Sequence, residues 1–153
     1  MPTALRALAA ALLAGVGLVP AAMATSAAPT RLTAGTPTLT VVKNSRYGRI
    51  LFDGHRRVLY AFTRDPRGRS VCAGACAAKW PPYIVRGRVT AGAGVDASLL
   101  GTTRRADGSH QVVYAGRPLY YYVGDGPGQV LCGNVSEFGG LWLVIAPSGR
   151  TVK

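Results

Sequence analysis

Acidic side chains are scarce: six Asp and Glu stand against 18 Lys and Arg. A hydrolase working through paired carboxylates would have to assemble them from Asp53, Asp107 or Glu137, because Asp65 and Asp125 sit in turn signals. Nothing in the spacing brings those three together. No Gly-x-Ser-x-Gly segment exists to present a nucleophilic serine. Both methionines, Met1 and Met23, fall in the first two dozen residues. No Cys precedes Cys72, so Val16 stands where a lipoprotein would carry its lipidated Cys. No run of five or six like charges marks a dedicated polyanion site. Patterns of long amphipathic helices are missing too.

What the amino-terminal stretch does contain is a leader. Arg6 precedes an apolar run from Ala7 to Val19. That run falls short of the roughly 20 apolar residues a membrane span needs. Ala22-Met23-Ala24 matches the small–x–small cleavage rule. The expectation is a signal peptide over residues 1–24, cleaved at Ala24 or slightly later, and an exported chain not lipidated through an N-terminal Cys. Residues 25–40, rich in Ala, Thr and Pro, read as a flexible tether. Residues 41–153 then form one small domain. Its charge is nearly all Arg. Outside the cytoplasm nucleic acid is not the expected partner; anionic wall polymers or a membrane surface are.

The domain says one thing twice. Tyr60-Ala61-Phe62-Thr63-Arg64-Asp65 returns as Tyr120-Tyr121-Tyr122-Val123-Gly124-Asp125, a shift of 60 residues. Gly54 answers to Gly116, Cys72 to Cys132 and Trp80 to Trp142. The expected repeats span about 47–83 and 110–147. Periodicity is everywhere two, so the expected fold class is all-β, built from two pseudo-repeated β-hairpin units with little helix outside the signal peptide. Asp53-Gly54 predicts a hairpin over 49–62, and Ala115-Gly116-Arg117 a second one, returning over Leu119–Val123. Tyr60 and Phe62 share one strand face, as do Tyr120 and Tyr122. Asp65-Pro66-Arg67-Gly68 fits a type I turn with Asp bonding its backbone. Cys76–Trp80 suggests one helical turn stopped by Pro81 and Pro82. Leu141–Ala146 reads as the final strand.

Three cysteines in an exported chain point to a disulfide. Cys72–Cys76 is the expected bridge, and Cys72–Cys132 the alternative that the repeat suggests. The spacing of Cys72 and Cys76 also suits copper. Trp80 stands where a dinuclear copper carrier has its His, and His55 and His110 lie far away, so no metal or cofactor is expected and copper or haem remains the alternative. Tyr121 projects opposite its neighbours, either toward a flat ligand or into a second apolar layer.

Tyr60-x-Phe62-x-x-Asp65, followed by Gly68-x-Ser70-x-Cys72-x-Gly74-x-Cys76-Ala77-x-x-Trp80-Pro81-Pro82, resembles a bacterial family described as a secreted repeat of unknown function. Its members are also described as predicted lipoproteins with a Tyr-x-aromatic-x-x-Asp motif. Tyr114-x-Gly116-x-Pro118-Leu119-Tyr120 and Phe138-Gly139-Gly140-x-Trp142 carry the resemblance in the second half. It implies an exported, non-enzymatic envelope module with family-motif residues Tyr60, Phe62, Asp65, Trp80, Pro81, Pro82, Tyr120, Tyr122, Asp125 and Trp142. A redox or metal-linked protein using Cys72 and Cys76 is the second expectation, and a secreted hydrolase the last. Cys132 departs from the family pattern.

Overall fold

The computed structural model describes residues 38–153. The expected signal peptide and residues 25–37 of the expected tether lie outside the described residues. Leu39 is fully buried and opens a strand, so ordered structure begins before the expected boundary at residue 41. Strands β1 (Leu39–Asn44) and β2 (Gly48–Asp53) form an antiparallel hairpin with Leu39 opposite Asp53. The Asn44 side chain closes its turn by accepting from the Arg46 and Tyr47 amides.

The hairpin expected over 49–62 forms only next to its turn, where the Asp53 amide donates to the Arg57 carbonyl and the Leu59 amide to that of Leu51. Phe52 and Val58 form a single antiparallel bridge there, and the pairing goes no further. Strand β3 (Tyr60–Phe62) pairs instead with β9 (Gly140–Ile145), Tyr60 opposite Val144 and Phe62 opposite Trp142. The reason is that Val58–Phe62 is apolar at every position. Such a run has no solvent face and must be covered on both sides, which a local hairpin cannot do. Two short strands, β8 (Val135–Glu137) and β10 (Thr151–Val152), also pair with β9. The chain therefore turns back after Ala146, and Leu141–Ala146 is not its last strand.

A second sheet is centred on β6 (His110–Tyr114), which pairs with β4 (Ile84–Val85), β5 (Leu100–Arg104) and β7 (Arg117–Pro118). The expected second hairpin is real but brief. Ala115 and Gly116 both adopt positive φ, 49° and 73°, as a tight two-residue turn requires. Only Arg117 and Pro118 then pair with β6. The Leu119 amide still donates to the Val112 carbonyl, and Tyr120–Val123 then leaves the sheet, because Tyr120 bridges to Tyr60. The helical turn forms as α1 (Ala75–Lys79), ahead of Pro81 and Pro82.

The described residues fall in one compact unit, an all-β fold of antiparallel sheets. Period two sorts side chains between two cores rather than between core and water. Ile50, Phe52, Val58, Tyr60 and Phe62 enter one, while Leu51, Leu59 and Ala61 enter the other. The first core holds Trp80, Tyr120, Trp142 and the cysteines; the second holds Val112, Tyr114, Leu119 and Ile145.

Candidate functional site

The two copies of the aromatic–Asp phrase meet at the centre of the first core. Tyr60 and Tyr120 exchange backbone hydrogen bonds, each 2.9 Å. Their hydroxyls then cross. Tyr60 donates to Asp125 Oδ2 and Tyr120 to Asp65 Oδ2, both at 2.6 Å. Each Asp uses its other oxygen to accept an amide six residues on: Val71 at 2.8 Å and Leu131 at 2.9 Å. Every repeat thus completes the other, in a pseudo-twofold arrangement that neither copy announces by itself.

The rings obey the same symmetry. Trp80 and Trp142 stack face to face, 4.0 Å apart and 3° from parallel. Tyr60 meets Trp80 edge-on at 5.2 Å, and Tyr120 meets Trp142 likewise at 5.2 Å. Phe62 stacks on the opposite repeat's Trp142 at 4.2 Å, and Tyr122 tilts against Trp80 at 4.9 Å. Offset and edge-on rings each add about 0.5–1.5 kcal/mol beyond area burial.

Burial first, then the Asp125 hydrogen bond, holds the Tyr60 phenol far above its ordinary range. Burial and the Asp65 bond do the same at Tyr120. Both phenols therefore stay protonated donors. Asp65 is itself pushed up by burial, against the Tyr120 hydroxyl, the Val71 amide and Arg105. The expected type I turn at Asp65–Gly68 is a correction. Asp65 ends one hydrogen-bonded turn, from Phe62, and Pro66 begins another that closes at Arg69. Gly126–Gln129 repeats the second turn, with Gly68 and Gly128 at φ 70° and 79° where only Gly is unstrained. Pro127, displaced relative to Pro66, sits at the favoured second position of its own turn.

Tyr121 faces the second core. It packs on Tyr83 at 5.0 Å, donates to Asp53 Oδ2 at 2.9 Å and lies under the Arg57 guanidinium. A second apolar layer, not a ligand platform, accounts for it.

Symmetry fails at four points. Cys72 and Cys76 are joined as a disulfide, so the Cys72–Cys132 bridge is not formed and both sulfurs of the copper alternative are taken. Cys132 is a free, half-buried thiol, and burial pushes its pKa up. Among the described residues no cluster of three His, Cys, Asp or Glu could hold a metal. Arg105, next in the chain to exposed Arg104, is an internal clamp. It donates to Ser70 Oγ at 2.6 Å, Gln111 Oε1 at 2.7 Å and the Cys72 carbonyl at 2.8 Å. No signal distinguished it from its neighbour, because the clamp depends on a loop 33 residues away.

The fourth departure concerns the stacked tryptophans. Trp80 donates its indole N–H to Glu137 Oε2 at 2.9 Å, and Lys79 pairs with the same carboxylate at 2.5 Å. The Lys79 ammonium and then the Trp80 N–H hold the Glu137 carboxyl below the usual range. Trp142 is equally buried, yet its indole N–H has no acceptor. Leaving a buried donor unmade costs about 1–3 kcal/mol. Beside this half lies a cleft of about 270 Å³ lined by Phe62, Arg64, Val71, Ala73, Cys76 and Phe138. A second, of about 240 Å³, is lined by Val85, Arg86, Gly87, Thr102 and His110.

All six carboxylates are spent internally. Asp53, Asp65, Asp125 and Glu137 are engaged as above; Asp96 and Asp107 bond Ser98 and Ser109 in their own turns. Among the described residues only Lys79 and Arg105 lie within ion-pair distance of a carboxylate. Arg64, Arg67, Arg69, Arg86, Arg88 and Arg104 are exposed.

Fold and site together define a duplicated, disulfide-linked all-β module whose two aromatic–Asp repeats brace each other across a pseudo-twofold. The profile of the family described as a secreted repeat of unknown function matches twice, over residues 41–83 and 101–146, and the chain belongs to that family. No curated protein and no solved structure matches the chain. Among the described residues no helix is long and apolar enough to cross a membrane.

Proposed function

We propose that the chain works outside the cytoplasm as a non-enzymatic module that binds anionic polymers of the cell envelope. The observation that carries this reading is the one-sided use of charge. Every carboxylate is turned to an internal hydrogen bond, while most arginines stand at the surface without an anionic partner. Such a surface draws polyanions by its field rather than by a shaped pocket. The motif residues support a non-enzymatic role, since Tyr60, Tyr120, Asp65 and Asp125 hold one another. Nucleic acid is not the proposed partner, because the family is described as secreted.

Phosphate groups of wall polymers and of anionic lipids share this chemistry, and one experiment separates them. The protein is co-sedimented with purified cell wall, with phosphatidylglycerol vesicles and with phosphatidylcholine vesicles, at low and high salt. The expected result is wall binding that weakens steeply as salt rises. Retention on phosphatidylglycerol alone moves the partner to the membrane. Binding that ignores salt, or none to either anionic surface, overturns the reading.

A further inference from the structure

The field that gathers a polymer at the surface does not by itself fix where one of its phosphates settles. The β4–β6–β5 sheet offers an address at the end where its three strands lie abreast. His110 stands opposite Val85 on one side and opposite Arg104 on the other, so these three side chains share a face. Strand alternation fixes which face it is. Thr103 donates to the Gly68 carbonyl and Arg105 donates to Ser70, so Thr102 and Arg104 point the opposite way. Arg86 follows β4 directly.

At this end lies the cleft of about 240 Å³ lined by Val85, Arg86, Gly87, Thr102 and His110. Two basic side chains and a hydroxyl furnish it, and no carboxylate is among its lining. Arg104 stands beside His110 and reaches back over Gly108 of the connecting turn. Asp107, the carboxylate of that turn, is engaged by Ser109 and lies 3.7 Å from the Arg105 Nε. Basic groups directly opposite one another repel when both are charged, and an anion between them removes that cost. Duplication supplies an internal comparison. The first-repeat hairpin closes on Asn44 opposite Gly48, and Asn44 is spent on the Arg46 and Tyr47 amides. The basic pair belongs to the second copy alone.

Resting on the polyanion reading above, we propose that this cleft seats one phosphodiester group of the anionic partner. The Arg86 guanidinium and the His110 ring flank the phosphate, the Thr102 hydroxyl donates to it, and Arg104 adds charge from beside His110. The remaining surface arginines draw the polymer in without fixing its position.

The test uses the disulfide-intact secreted chain and a fluorescein-labelled glycerol phosphate oligomer, followed by fluorescence anisotropy at low salt. The double variant Arg86→Gln/Arg104→Gln weakens binding at least about tenfold, through lost charge-assisted contacts. Arg67→Gln/Arg69→Gln removes the same charge from the turn at Gly68 and weakens it by about threefold or less. Thr102→Val changes no charge, yet weakens binding roughly fivefold through one lost hydrogen bond. All five positions except His110 are thus probed at exposed side chains, where the fold is not at stake. The tenfold loss on the oligomer alone identifies a polymer phosphate; the same loss on phosphatidylglycerol vesicles alone identifies a lipid headgroup. Equal losses in the two double variants, or unchanged affinity in Thr102→Val, overturn the site and leave the diffuse surface standing. A parent chain that sediments with cell wall but ignores both phosphodiester probes sinks this site alone, and one that binds no anionic surface sinks both readings.

Discussion

Tyr60 and Tyr120 play the same part in unequal surroundings. Asp125 is 7% exposed, whereas Asp65 is half-buried and has Arg105 near it. Removing the Tyr60 hydroxyl strands a buried carboxylate oxygen; removing that of Tyr120 leaves one that water can reach. Tyr60→Phe should therefore cost about 1–3 kcal/mol, and Tyr120→Phe distinctly less. Urea unfolding of the two variants decides, and a reversed order would show that the pseudo-symmetric bonds are not weighted by burial. Glu137 sets a pH dependence of definite sign. Its folded pKa is depressed from 4.5, so its contribution is present above that value and fades as pH falls through the folded one. Thermal unfolding of Glu137→Gln should show its largest deficit near neutrality and none in strong acid. Asp65, raised by burial, runs the opposite way, but the comparison with the parent chain cancels it.

The element most exposed to chemistry is α1 with its disulfide. A helix of five residues is too short to hold itself. The Cys72–Cys76 link closes a small loop, and the chain-entropy argument assigns such a loop about 2 kcal/mol. The double variant Cys72→Ala/Cys76→Ala should lose about that much in urea, and Cys132→Ser less, since that thiol is free and only half-buried. Equal losses would mean that Cys132 matters to the fold in its own right. At this scale the sequence was read well where contacts are local. The helical turn before Pro81-Pro82, the β6–β7 turn and the Cys72–Cys76 bridge follow from neighbouring residues. Strand partners were not legible, because Val58–Phe62 carries a β pattern without naming what lies beside it, and β9 is about 80 residues away.

Over the whole molecule the crossed bonds make the halves interdependent. Each Tyr finds its Asp in the other repeat, and each stacked Trp finds its mate there. The intact domain should unfold in one cooperative transition, followed by tryptophan fluorescence and far-ultraviolet circular dichroism together. Fragments divided within residues 86–95 should show no such transition separately and regain it when combined. A fragment that unfolds cooperatively alone would contradict the mutual bracing.

By itself the sequence determined the all-β class, the duplication, the family and the inward use of its aromatic pairs, because period, turn residues and compound motifs act over a few neighbours. It also carried the excess of arginine over acid. Only tertiary structure decided that Tyr60 bonds Asp125 and not Asp65, that Arg105 is a clamp while Arg104 is not, and that Trp142 lacks the acceptor Trp80 has. Those outcomes turn on which distant segments come within about 3 Å, the reach of a hydrogen bond. Two copies of one phrase cannot state in sequence whether each closes on itself or on its twin.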